Sequence, residues 1–256
     1  MLEPVLQQGI TLKSRQELDY MRQAGKVVAH MIDALVKAVR PGIRTGELDA
    51  IAERVVRDMG AIPSFKGYRG FPATICVSVN DEIVHGIPGR RVLNEGDIVG
   101  LDVGAIVSGY HGDAAVTVGV GRISREAEQL IETTRETLAR GIQEARAGNR
   151  MGDISAAIQS YAESRGYSVV KEYVGHGIGR ALHEEPAVPN YGERGKGLAL
   201  QSGMVLALEP MVNIGTWRTR LKPDNWTVVT LDGSLSAHFE HTVAITDGTP
   251  EVLTRL

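Results

Sequence analysis

The segment Arg40-Pro-Gly-Ile-Arg44-Thr-Gly46 returns 106 residues later as Arg146-Ala-Gly-Asn-Arg150-Met-Gly152. At the same offset Ala50 meets Ala156 and Gly60 meets Gly166, so six identities keep one register over twenty-one positions. A duplicated unit restricts the fold to arrangements in which the same element order occurs twice and the copies bury a common face. In the first copy the spacing predicts a helix over 15–39. Ser14-Arg15-Gln16-Glu17 is a capping box, Leu18, Met21, Ala24, Gly25 and Val28 keep helical spacing, and Pro41-Gly42 stops it. A second helix is predicted over 47–59, with Gly60 placed to end it. Strand-like runs follow at 73–79, 97–107 and 110–120. The second copy restarts the pattern, with helices at 125–147 and 154–165 and strands near 167–170, 204–208, 226–230 and 242–246.

Carried forward, the repeat pairs acids. Gly96-Asp-Ile-Val-Gly-Leu-Asp102 resembles Gly203-Met-Val-Leu-Ala-Leu-Glu209 at an offset of 107. Asp113-Ala-Ala-Val-Thr-Val118 resembles Glu240-His-Thr-Val-Ala-Ile245, with a longer second connection accounting for the changed offset. Asp102 thus corresponds to Glu209, and Asp113 to Glu240. In the first copy Ser108-Gly109 reads as a two-residue hairpin loop, which sets Val107 opposite Tyr110, Gly104 opposite Asp113 and Ala115 opposite Asp102. Side chains alternate faces, so Asp102 and Asp113 share a face as diagonal neighbours roughly 5–8 Å apart. Gly104 is expected to leave the space between them open. Two bare carboxylates among Val, Ile, Leu and Ala repel each other and lose hydration. A divalent cation, or a pair bridged by the acids, relieves that cost. The other reading of this stretch is a hairpin whose acids face water. A pseudo-twofold arrangement of the copies would bring all four acids to one centre.

Four carboxylates alone suit calcium or magnesium, and an added imidazole moves the preference toward iron, manganese, cobalt or zinc. Val174-Gly175-His176-Gly177-Ile178-Gly179-Arg180-Ala-Leu-His183-Glu184 supplies two histidines. Small residues around His176 permit close backbone approach, and beside the four acids it becomes a candidate ligand read from a glycine loop. No His-Glu-x-x-His occurs, so a zincin helix is not the explanation. His85, in Asp81-Glu-Ile-Val-His85-Gly-Ile-Pro88, follows an apolar run and is placed to project into a cleft as a proton or hydrogen-bond donor. His30 reads as a helix residue facing solvent or packing. His111, His238 and His241 flank the acids without an assignable task. The glycine-rich stretch 191–197 lacks the Lys-Ser/Thr ending of a phosphate loop and reads as a flexible rim.

The 256 residues carry a formal charge of −3, which argues against nucleic acid as the main partner. The single cysteine, Cys76, cannot form an internal disulfide, and Glu3 and Pro4 interrupt any leader-like run at the start. The cytoplasm is the expected compartment, with no membrane attachment.

With these residues in view, the chain resembles the type I methionine aminopeptidases from its first helix to Glu240-His241-Thr242. The matching stretches are Ile75-Cys76-Val-Ser-Val-Asn80, Val84-His85-Gly-Ile-Pro88, Leu101-Asp102-Val, Gly112-Asp113, Gly175-His176-Gly-Ile-Gly179, His183-Glu184, Leu208-Glu209-Pro210 and Ser234-Leu-Ser-Ala-His-Phe-Glu240-His241. The resemblance implies an α/β (α+β) pseudo-twofold pita-bread fold, a central antiparallel curved sheet with helices outside. The whole chain, 1–256, would be one metallopeptidase domain of two related halves at about 10–121 and 122–248. It also implies two divalent ions per chain (Co, Mn, Fe, Zn or Ni). Their ligands would be Asp102, Asp113, His176, Glu209 and Glu240, with Asp113 and Glu240 bridging.

By the same resemblance His85 and His183 contact the substrate, and Cys76, Tyr68, Phe71 and Trp226 form the methionine side-chain pocket. Phe71 stands where many relatives have tyrosine, Phe65 where a cysteine can occur, and Leu182 where an aromatic can occur, so the pocket outline is expected to differ. The implied reaction is metal-assisted hydrolysis of the first peptide bond of chains with a small second residue. Glu209 would accept a proton, and His183 would donate to the substrate carbonyl or the oxyanion. The partner is the N-terminal methionine of nascent polypeptides, with a transient ribosome contact, no nucleic-acid binding of the chain's own, and a monomeric state. Prolidases and proline aminopeptidases share this kind of centre but usually carry an extra N-terminal domain. A non-catalytic pita-bread binding protein would be expected to lose ligands, and all five are present.

Overall fold

The computed structural model describes residues 9–256. Among them are four α-helices, α1 (Arg15–Ala38), α2 (Thr45–Asp58), α3 (Arg125–Glu144) and α4 (Met151–Ser164). The capping box of α1 is formed: the Ser14 N–H donates to Glu17 Oε2 at 2.8 Å, and Ser14 Oγ accepts from Glu17 N at 3.4 Å. Helix α2 starts two residues before the expected position because Glu47 is its third residue and not its first, accepting from Arg44 N at 2.9 Å. Asp153 repeats this at α4, accepting from Arg150 N at 2.7 Å. Both helices have 14 residues, and their bounds differ by the offset of 106 found in the sequence.

The strands of the first part are β1 (Ile62–Pro63), β2 (Ile75–Val79), β3 (Glu82–Val84), β4 (Ile98–Val107) and β5 (Tyr110–Gly119). The second part contributes β6 (Ser168–Val169), β7 (Gly175–Gly177), β8 (Glu184–Val188), β9 (Val205–Leu208), β10 (Met211–Asn213), β11 (Thr219–Leu221), β12 (Val228–Thr230), β13 (Ser236–His238), β14 (Glu240–Ala244) and β15 (Glu251–Val252). Nine form one sheet in the order β1-β4-β5-β14-β9-β7-β8, with β2 also on β4 and β15 also on β14. Every pairing in it is antiparallel. The hairpin of the first copy meets the strand pair of the second where Ala115 faces Glu240.

Alternation along each strand sorts the faces. Leu101 and Val103 of β4 pack with Val28, Met31 and Leu35 of α1 and Leu48 and Val56 of α2. Leu206 and Leu208 of β9 and Val243 of β14 pack with Leu130 of α3 and Ile154 and Ile158 of α4. Two apolar cores thus cover one face of the sheet, one per helix pair. The residues between these core positions, Asp102, Glu209, Glu240 and their neighbours, point to the opposite face.

Candidate metal centre

The β4–β5 hairpin has the register that its turn dictates: Val107 opposite Tyr110, Gly104 opposite Asp113, Asp102 opposite Ala115. Ser108 and Gly109 have φ of 51° and 79°, the paired left-handed conformation that a tight two-residue hairpin requires. Reading across the sheet, Cys76 faces Asp102, Asp102 faces Ala115, and Ala115 faces Glu240. These residues therefore lie in one row on one face. Asp113 sits one pleat further along, its N–H donating to Thr242 Oγ1 at 2.9 Å while that hydroxyl donates to Asp113 O at 2.8 Å. Thr242 in turn faces Ala207, and Ala207 faces His176. Glu209 follows the last residue of β9, two positions after Ala207 and on the same face.

Two expectations need correction. The space beside Gly104 is not open: a Cβ there would lie 2.7 Å from Ser64 Cβ and 2.8 Å from Phe65 Cε1. Those side chains fill the space over Gly104. His176 is not on a loop but on β7, where its glycine neighbours admit adjacent backbone. A Cβ on Gly175 would meet Ala207 O at 2.3 Å, and one on Gly177 would meet Glu185 O at 2.2 Å.

One ligand atom each from Asp113, His176 and Glu240 lie within 4.8 Å of one another. Asp102 and Glu209 fall outside that trio but line the same cavity, and Glu209 Oε1 is 3.5 Å from His176 Nε2. Asp102 Oδ1, Asp113 Oδ1 and Glu240 Oε1 are sealed from solvent with no hydrogen-bond partner. Burial pushes the Asp102 carboxyl up to about 7. Asp113, Glu209 and Glu240 are pushed well above the carboxylate range, first by burial and then by neighbouring charge: that of Asp102 and Glu209 on Asp113, that of Asp102 on Glu209, and that of Asp113, Glu209 and Asp102 on Glu240. His176 is lowered to about 3, mainly by burial, and is neutral. Its Nδ1 lies 2.9 Å from Gly177 O, and a carbonyl can only accept, so the ring proton is on Nδ1 and the Nε2 lone pair is free. Unpaired carboxylate oxygens converging with a bare imidazole nitrogen fit a divalent first-row cation, and more than one can be bridged by such a set.

Every residue expected at the site lines a single cavity of roughly 130 Å³. Beside the acids the cavity is lined by Cys76, the cross-strand neighbour of Asp102, and by Tyr68, Phe71 and Trp226, with Phe71 and Trp226 edge to face at 5.1 Å. Burial, then the charges of Asp102, Asp113 and Glu240, raise the Cys76 thiol, so it is a neutral apolar surface. His183 packs tilted against His176 at 4.2 Å and stacks on Tyr68 at 5.4 Å, and its Nδ1 is 2.9 Å from the Tyr68 hydroxyl. His85 has a positive φ of 60° and packs edge to face against Tyr173 and Trp226. Burial and then the charge on His183 lower it to about 4.

Phe65, Arg69 and Leu182 also line the cavity. Phe65 and Leu182 drew notice in the sequence only as departures from the family, and Arg69 not at all, although the flanking Gly67 and Gly70 mark its turn. His238, which had no task, is buried with Nε2 3.7 Å from Glu209 Oε2. His111 and His241 are occupied elsewhere, with Ser64 and Thr254, and His30 is exposed. Stretch 191–197 does not line the cavity. It is tied to α4, Gly195 N donating to Asp153 Oδ1 at 2.8 Å and Gly192 N to Gln159 Oε1 at 3.1 Å.

The profile of metallopeptidase family M24 matches residues 19–247. A methionine aminopeptidase of Bacillus subtilis is 56% identical over 247 residues, covering 96% of this chain and 100% of the relative. The crystal structure of a methionine aminopeptidase from Thermotoga maritima superposes with a TM-score of 0.95 at 46% identity, covering 96% of this chain and 100% of that one. A prolidase from Pyrococcus furiosus has a TM-score of 0.77 at 22% identity, and this chain covers 65% of its length; that likeness is one of fold. With the pita-bread sheet, the paired halves and the acid-rich cavity in hand, these matches establish that the chain belongs to metallopeptidase family M24 and, within it, to the type I methionine aminopeptidases.

Proposed function

We propose that the chain removes the initiator methionine from peptides and newly made proteins whose second residue is small, by metal-assisted hydrolysis of the first peptide bond. The carrying observation is one cavity that combines convergent unpaired carboxylates with a sulfur- and aromatic-lined wall. Asp102, Asp113, His176, Glu209 and Glu240 would hold two divalent ions (cobalt, manganese, iron, zinc or nickel), Asp113 and Glu240 being central to the cluster. Bound there, such ions supply Lewis-acid polarisation and a water that is acidic near neutral pH.

The chain's own groups divide the remaining work. Cys76, Tyr68, Phe71 and Trp226 receive an unbranched thioether side chain, and the neutral thiol adds no charge to repel it. Glu209, one oxygen toward His176 and the other toward His238, accepts the proton given up by the attacking water. With the Tyr68 hydroxyl donating to Nδ1, His183 keeps its proton on Nε2 and donates it to the substrate carbonyl oxygen as negative charge develops. His85 is neutral and presents a second donor to the substrate backbone.

We read residues 1–256 as one metallopeptidase domain with halves at about 10–121 and 122–248, a division supported by the equal, offset helices α2 and α4. We further read it as a cytoplasmic monomer that meets nascent chains through a transient ribosome contact and binds no nucleic acid itself. Its net charge of −3 and lone free cysteine agree with that reading. No helix among the described residues is long and apolar enough to cross a membrane. The test is release of free amino acid from Met-Ala-Ser, Leu-Ala-Ser and Ala-Pro-Ser peptides. Cleavage of the first alone is expected, and comparable rates on the Leu or X-Pro peptides would favour a prolidase-like activity instead.

A further inference from the structure

Residues 65–71 form a closed turn at the mouth of the cavity. Gly67 N donates to Phe71 O at 2.8 Å, Phe71 N to Tyr68 O at 2.9 Å and Tyr68 N to Phe65 O at 2.9 Å. Arg69 sits inside this turn with φ 48° and ψ 23°, between Gly67 and Gly70, each at φ 88°. A non-glycine side chain in the left-handed region is strained, and such strain concentrates where a side chain must be aimed. The turn presents Phe65, Tyr68 and Phe71 to the cavity wall and leaves Arg69 exposed at its edge.

Arg69 is the one cationic side chain among the described residues that line the cavity. Its neighbour Lys66 is paired with Glu53 at 2.9 Å, whereas no ion pair among the described residues engages Arg69, whose guanidinium rests 5.3 Å from the Tyr68 ring centroid. It is close enough to His183 that, after burial, its charge is the next cause lowering that imidazole. The mouth therefore carries one fixed positive charge above a floor of carboxylates. On our reading a peptide whose methionine lies among Cys76, Phe71 and Trp226 would extend toward solvent past this exposed charge, at up to roughly 3.5 Å per residue.

We propose that Arg69 is a specificity-determining residue that favours substrates with a carboxylate on the third residue and disfavours those with Lys or Arg there. The proposal rests on the aminopeptidase reading above. A guanidinium fork meets a carboxylate through two parallel hydrogen bonds, a geometry that an ammonium cannot supply. Being solvent-exposed, the pair is screened by salt, so the preference is modest.

The experiment compares C-terminally amidated Met-Ala-Glu-Ser, Met-Ala-Gln-Ser and Met-Ala-Lys-Ser with parent, R69Q and R69K proteins, all in metal-loaded form. The parent is expected to rank them Glu, Gln, Lys in kcat/KM. Each step is roughly two- to fivefold, lies in KM more than in kcat, and shrinks at high salt. In R69Q the Glu-to-Lys ratio falls to near one, and R69K keeps part of it. A parent that cuts all three equally, a ratio unchanged in R69Q, or a loss in R69Q that is uniform across the peptides each overturns the inference. Failure of the parent to cut any of the three peptides refutes the aminopeptidase reading itself, and the inference with it.

Discussion

Asp102 shows how burial sets the charge balance of the centre. A carboxyl whose pKa is higher in the folded than in the unfolded chain contributes stability below its unfolded pKa and loses it as pH rises through the folded one. For Asp102 that window runs from its ordinary 3.8 to about 7. The buried histidines His176 and His238, both lowered to about 3, run the other way, so the comparison has to isolate one residue. In chelator, Asp102→Asn is expected to melt higher than the parent at pH 8, with the difference closing as pH falls toward 4. A thermal scan at several pH values checks this, and a difference that does not change with pH contradicts it.

The histidines separate by what they touch. His176 offers a free Nε2 to the acids, whereas His183 is held by Tyr68 and His85 by Tyr173 and Trp226. His176→Ala should bind metal more weakly and recover part of its turnover in excess metal. His85→Ala and His183→Ala should keep their metal content and lose kcat by about 10²-fold, without metal rescue. Elemental analysis beside a metal titration of kcat distinguishes these outcomes. Full rescue of His183→Ala would show that it serves as a ligand.

At the scale of elements, β7 is a three-residue strand that exists because two glycines flank a histidine. Gly177→Ala forces a Cβ to within 2.2 Å of Glu185 O, so the β7–β8 pairing must shift and His176 with it. The expected result is a loss of about 1–3 kcal/mol by denaturant melt together with weaker metal binding. A variant as stable as the parent would mean that the strand can yield at no cost. The long elements were legible in the sequence: helix α1 through its capping box and spacing, and the β4–β5 hairpin, register included, through Ser108-Gly109. Strand β7 was not, because glycine is a poor strand former and this strand is set by backbone approach from β8 and β9, which no local pattern records. Ser64 and Phe65 filling the gap beside Gly104 escaped notice for the same reason: the contact joins residues far apart in the chain.

At the scale of the molecule, the duplication explains why the acids could be read without an ion in view. Each copy places its helix pair on one face and its acids on the other, and the copies join where Ala115 meets Glu240. Asp102 and Asp113 thereby face Glu209 and Glu240 across a single cavity, with His176 added by the second copy alone. What the repeat could not supply is the cavity's wall and mouth. Tyr68, Phe71, Trp226, His85 and His183 lie outside the strands; His85 was legible from its place after an apolar run, the family resemblance pointed to the other four, and Arg69 was found only in the folded chain.

We propose above that this carboxylate cluster is a two-ion hydrolytic centre. Its most direct test is titration of metal-stripped protein with manganese or cobalt, following bound metal and Met-Ala-Ser turnover in the same samples, with Asp113→Ala in parallel. No turnover is expected without metal, with activity rising with binding to a limit of two ions per chain and a folded Asp113→Ala protein that neither binds both ions nor turns over. Undiminished hydrolysis after exhaustive chelation, or full activity in Asp113→Ala, would contradict it.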